Sequence, residues 1–173
     1  MKRSEINPMP TYFDRYINLV DDVEMINALQ TSLLELENAP IEKWKALGDK
    51  VYAEGKWTVK DLLQHLVDTE RIFTYRALSF ARKDMRTMLG FDEELFAKNA
   101  NTIFRTLDEI IEESILVRKS SICLFQSFSE EALKTIGRSG NIEYSVATIA
   151  FILAGHQRWH FNILEERYFP LLT

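Results

Sequence analysis

The chain contains three histidines, His65, His156 and His160. Two of them lie four residues apart in the stretch AGHQRWHFNILEERY, residues 154–168. On a helix, residues four apart share a face, with Cβ atoms roughly 6 Å apart. Two imidazoles so placed can offer lone pairs to one metal ion. A third nitrogen from a neighbouring helix would leave the ion one open position, the pattern of a catalytic rather than a structural zinc site. Imidazole also suits nickel, iron, copper and cobalt. The same spacing suits two core histidines that bond to each other or to neighbours, because an unpaired buried polar group costs about 1–3 kcal/mol. One chemistry is disfavoured at once: Gln157 follows His156, where the H-E-x-x-H zinc proteases carry their glutamate.

Four segments with helical periodicity must position these residues. The first spans roughly residues 21–37, with Val23, Ile26, Leu29, Leu33 and Leu36 at three- and four-residue steps, and IEKWKAL adds a short helix after it. The second runs from Thr58 to about Ala81, opened by a capping box in TVKD, in which Thr58 and Asp61 satisfy each other's backbone amides. Its stripe is Val59, Leu62, Leu66, Phe73, Ala77 and Phe80, with His65 at the edge. The third covers about residues 102–128, on Ile103, Leu107, Ile110, Val117, Leu124 and Phe128, with Ser114 and Ser121 between them. The fourth covers about residues 145–168, where His156 and His160 fall in line with Ile149, Leu153 and Ile163. Four long amphipathic helices in this length predict an all-α four-helix bundle in one domain, residues 1–173, with residues 1–20 as an N-terminal extension. The connection after the second helix, RKDMRTMLGFDEELFAKNAN in loop 81–101, is long for a bundle and has room for a short helix; loop 129–144 carries Ser129 as an N-cap and a glycine turn, GRSGN. Loops of that length often serve as functional lids, and these two are expected to decide the substrate.

Composition narrows the partners. The chain has 173 residues, 21 Lys and Arg against 26 Asp and Glu, and a net charge of −5. Basic residues are scattered, so the phosphate-neutralising face that duplex nucleic acid requires is not expected. The longest apolar run, VATIAFILAG, is too short to span a bilayer. No apolar stretch follows the basic residues of MKRSEINPMPTYFDRY, so no signal peptide is read there. The lone Cys123 cannot form an internal disulfide, and a cytoplasmic protein is the expectation.

Other residues near the histidines have two readings each. Asp61 and Asp68 flank His65 by one turn and are candidates to accept its second ring nitrogen, or form a solvated polar edge. Arg76 lies on the His65 face three turns on, placed for an anionic group in the pocket or for a salt bridge. Asp92, in GFDE, either faces the pocket or N-caps EELFAKN. Trp57 reads as a packing anchor before the second helix. Cys123, in SICLFQSF, reads as a core cysteine.

Three segments together resemble the DinB-like superfamily, which includes the YfiT-like proteins. YAEGKWTVKDLLQHLVDTERIFTYRALSFAR is similar to its second-helix signature, GFDEELFAKNAN to the loop that follows, and AGHQRWHFNILEERY to its fourth helix. These span most of residues 52–168; residues 1–20 add nothing to the match. The resemblance implies an up-down-down-up four-helix bundle, often a homodimer. It also implies a divalent metal, zinc or nickel before others, held by one histidine of the second helix and the H-x-x-x-H pair of the fourth: His65, His156 and His160. It further implies a metal-assisted enzyme that transfers a low-molecular-weight thiol onto a small electrophilic substrate. A hydrolase, a non-catalytic metal-binding bundle and a plain structural dimer are the alternatives.

Overall fold

The structure, a computed structural model, describes residues 1–172. A short helix α1 (Asp14–Ile17) precedes α2 (Met25–Glu37), the short α3 (Ile41–Leu47) and the long α4 (Val59–Ala81). Then come α5 (Glu93–Asn99), α6 (Leu107–Gln126), the single-turn α7 (Glu130–Lys134), a hairpin of β1 (Ile136–Ser139) and β2 (Ile142–Ser145), and α8 (Val146–Ile163). A π-helical turn, Leu164–Tyr168, extends α8. No helix among the described residues is long and apolar enough to cross a membrane.

Helices α2, α4, α6 and α8 form a square in which the principal contacts are α2 with α6 and α8, and α4 with α6 and α8. Cross-links give the directions. Asp61, Gln64, Glu70 and Lys83 meet Thr102, Arg105, Arg118 and Glu131 in that order, so α4 and α6 run parallel. Trp57 meets Tyr168 while His65 meets His156, so α4 and α8 are antiparallel. Met25 and Leu29 pack in one core with Phe125 and Ile149, whereas Trp44, beyond α2, packs with Ile110 and Leu164. Hence α2 runs against α6 and with α8, and the bundle is up-down-down-up.

Capping explains several helix starts. Thr58 and Asp61 form the expected box on α4, Thr106 and Glu109 form another on α6, and Ser129 and Ser145 cap α7 and α8. α8 is buried all round from Val146 to Gln157, as a helix wrapped by α1, α2, α4 and α7 must be.

Some expectations need correction. The third helix starts at Leu107; Ile103 stands 78% exposed in a separate turn. The buried face of α6 is Ile110, Ile111, Ser114, Arg118, Ser121, Ile122 and Phe125, a rotation away from Val117 and Leu124. The rotation brings Arg118 inward to an ion pair with Glu70. It also carries Cys123 outward, so that cysteine is exposed rather than in the core. The GRSGN turn is the tip of an antiparallel hairpin, in which Gly140 takes a left-handed φ of 57°. Residues 1–20, expected as an extension, are packed into the bundle: Ile6, Ile17 and Val20 are core residues.

Two hydrophobic cores lie end to end, one holding Phe73, Phe80 and α8 as far as Ala154, the other Leu62, Leu63, Trp44 and Leu164. Between them runs a polar layer fed by every long helix. Ser32 comes from α2, Gln64, Thr69 and Glu70 from α4, Ser114 and Arg118 from α6, and His156 and Gln157 from α8, all buried.

Candidate metal centre

The histidines occupy this layer. His65 on α4 and the pair on α8 turn their Nε2 atoms toward one another: His156 Nε2 lies 3.2 Å from His65 Nε2 and 3.1 Å from His160 Nε2. All three ligand atoms lie within 4.8 Å of one another. Antiparallel packing of α4 on α8 produces the meeting, since it opposes the second turn of α4 to the last turns of α8. His156 is buried; His65 and His160 are half-buried.

The donor set fits a divalent metal. Nitrogens bound at 2.0–2.1 Å in a tetrahedron are about 3.3 Å apart, close to two of the separations here. Three imidazoles with facing nitrogens cannot all satisfy one another, because His156 Nε2 carries either one proton or one lone pair and meets two neighbours. A cation among them removes the conflict. Burial pushes the His65 pKa down to about 4 and that of His160 to about 3, with the His65 imidazole adding to the effect at His160. His156 is held well below the ordinary value by burial, then by His160, His65 and Arg118. All three are therefore neutral near pH 7, the form that ligates.

The outward nitrogens are thinly partnered. His65 Nδ1 lies 3.5 Å from Thr69 Oγ1, and His160 Nδ1 is buried without a hydrogen-bond partner. Neither expected carboxylate serves them. Asp61 accepts from the Thr58 amide and hydroxyl and from Thr102, because its position in the first turn of α4 commits it to the cap. Asp68 accepts from Gln64 Nε2 at 3.0 Å. Below the rings, Arg118 forks onto Glu70 at 2.8 and 2.9 Å and bonds Ser32 Oγ, while Gln157 Nε2 donates to Ser32 O at 2.7 Å. This network fixes the helix turns that carry His156, and charge-assisted pairs of this forked kind are strong and directional.

A cleft of about 430 Å³ opens over the rings, within the range of small-molecule sites. Its walls come from five places: Tyr12, Phe13 and Tyr16 of the N-terminal segment, the face of α4, residues Gly90, Phe91, Glu93 and Glu94, the hairpin tip, and Ile152 and Trp159 of α8. Both loops expected to shape the substrate site contribute. Met88 N donates to Arg138 O and Gly140 N to Met88 O, so the first loop is pinned to the hairpin. Trp57 is more than an anchor: its ring lies 4.8 Å from that of His65, and its Nε1–H donates to Glu94 Oε2 at 3.1 Å. The Tyr16 ring meets His156 edge-on at 5.0 Å, and burial raises the pKa of its hydroxyl, which stays a neutral donor. Asp92 caps α5 through Leu95 N and does not line the cleft; its neighbours Glu93 and Glu94 do. Arg76 does line it, buried, and forms no salt bridge among the described residues. Sequence reading missed Tyr12, Phe13 and Tyr16, whose aromatic cluster TYFDRY was the available signal.

The model of the DinB superfamily matches residues 29–164 of the chain. Among solved structures, the chain is similar to YfiT from Bacillus subtilis, described as a probable metal-dependent hydrolase with an unusual four-helix bundle topology. The two share 14% identity at a TM-score of 0.73, over 82% of each chain. A search of curated proteins finds no match.

Proposed function

The chain belongs to the DinB superfamily, and from that premise we propose that it is a divalent-metal-dependent enzyme that joins a low-molecular-weight thiol to a small electrophile. The observation that carries the reading is the convergence of three neutral imidazoles at the floor of an aromatic cleft large enough for a substrate. His65, His156 and His160 would hold the ion, zinc or nickel. When bound, such an ion supplies a positive charge that favours the thiolate, the nucleophilic form of a thiol.

The chain's own residues supply the rest. Glu94, held at the cleft edge by Trp57, is placed to accept the thiol proton. The sulfur then forms a bond to the electrophilic carbon, and the leaving group departs with its electron pair. Tyr12, Phe13, Phe73 and Trp159 give an apolar surface that fits the electrophile and limits water. Cys123 is outside the cleft lining and has no part in the reaction. Hydrolysis is a second reading, favoured by the same Glu94, which could equally take a proton from water.

Elemental analysis of the untagged protein tests the centre. About one divalent ion per chain is expected in the wild type, and none in His160→Ala. Turnover of an alkyl or aryl halide by the loaded protein should then require an added thiol and release thioether and halide. Ester cleavage without thiol would favour hydrolysis instead. Absence of metal after reconstitution with both zinc and nickel, with unchanged stability in His160→Ala, would overturn both.

A further inference from the structure

Arg76 is a buried cleft residue whose charge is balanced by no counter-ion among the described residues. It is 4% exposed, yet no carboxylate lies within ion-pair distance among the described residues. Arg118, comparably buried, is satisfied by a forked pair with Glu70. A guanidinium carries five N–H donors. Arg76 spends one on Leu89 O at 2.9 Å and rests its face on the Phe73 ring, 4.6 Å away. The acids of the same cleft do not come to it: Glu94 is held by Trp57, and neither Glu93 nor Glu94 forms an ion pair with it. Burying an unpaired charge is costly, so buried charges are paired or face a ligand. The buried Tyr144 hydroxyl lies beside Arg76 and Ser139, a neutral neighbour that supplies no counter-charge.

We infer that Arg76 is a carboxylate-binding subsite at the far end of the metal cleft. The planar fork of a guanidinium matches the two oxygens of a carboxylate, and stacking on Phe73 holds the fork in place. Spacing sets the shape of the ligand. Arg76 lies eleven residues beyond His65 on one helix, about 16 Å by rise. The guanidinium folds back one turn onto Phe73, as helical side chains lean toward the N-terminus, which brings the two groups to about 10–15 Å. A molecule that reaches both is at least as long as an extended tripeptide, about 10 Å. The substrate class is therefore an elongated thiol with a carboxylate remote from its sulfur. That last step rests on the proposed thiol chemistry; the carboxylate subsite itself does not.

The test uses two probe pairs and reads binding, by calorimetry and by the emission of Trp57 and Trp159 in the cleft wall. Octanoate and 1-octanol are titrated into metal-free protein, and 8-mercaptooctanoate and 8-mercapto-1-octanol into zinc-loaded protein. Octanoate is expected to bind the metal-free wild type at least tenfold more tightly than 1-octanol. Arg76→Met should abolish that preference and Arg76→Lys should reduce it, with unfolding temperatures recorded for both. Equal affinity of the two probes for the wild type, a comparison that needs no variant, overturns the subsite. So does a preference that survives Arg76→Met. Zinc that adds no affinity for 8-mercaptooctanoate, with the octanoate preference intact, overturns the thiol reading and supports the subsite.

Discussion

At pH 7 the three imidazoles of the centre are neutral because each would lose hydration on gaining a charge, and this has a thermodynamic consequence. An unfolded histidine titrates near 6.5, whereas His65 and His160 in the fold are pushed down to about 4 and about 3. Between those values the unfolded chain binds more protons than the folded one, so stability rises with pH across that window. Read downward, the metal-free protein loses stability as pH falls below 6.5, and the loss is complete only below the folded values. Urea midpoints of metal-free protein should therefore drop between pH 6.5 and 4, and His65→Gln should flatten the drop. An identical slope in wild type and variant would count against buried neutral histidines. The histidine trio was legible in the sequence, by the spacing on the fourth helix and by the family resemblance. The supporting atoms were not. Asp61 and Asp68 sit at the right helical distance from His65, but their oxygens were already committed to Thr58, Thr102 and Gln64.

At the scale of elements, α8 depends on a close approach that no side chain can share. A Cβ on Gly155 would collide with the carbonyl oxygen of Tyr16. Backbone cannot yield as a flexible side-chain tip can. In an isolated helix Gly155→Ala would stabilise by up to about 1 kcal/mol. Here overpacking should prevail and the variant should lose about 1–3 kcal/mol, with α1 displaced and the Tyr16–His156 contact broken. Chemical denaturation checks the sign, and a stabilised variant would mean that α1 is not seated as described. The length and cap of α4 were readable because Thr58, Asp61 and the apolar periodicity agree. The rotation of α6 was not. Its periodic pattern fits two faces almost equally, and the buried Arg118–Glu70 pair, which no local pattern announces, selects between them. The hairpin escaped because four-residue strands are too short to display an alternation.

For the whole molecule, residues 1–20 close both the core and the cleft, although the family match begins at residue 29. Ile6, Ile17 and Val20 join the upper core, and Tyr12, Phe13 and Tyr16 wall the cleft. Deletion of residues 1–20 should lower the thermal midpoint by several degrees. It should also raise binding of a hydrophobic dye and shift Trp159 emission to the red as its Tyr16 neighbour is lost. An unchanged midpoint and spectrum would return the segment to the status of an appendage. The sequence by itself determined what depends on local periodicity and residue type: four long helices, the cap of the second, an all-α bundle and three histidines able to ligate. Tertiary structure alone decided which side chains meet. The polar layer between two cores, the Trp57–Glu94 contact, the exposure of Cys123 and the unpaired Arg76 all arise from contacts between residues tens of positions apart. Such contacts depend on how helices rotate and register against one another, a choice made by the packing of the whole chain.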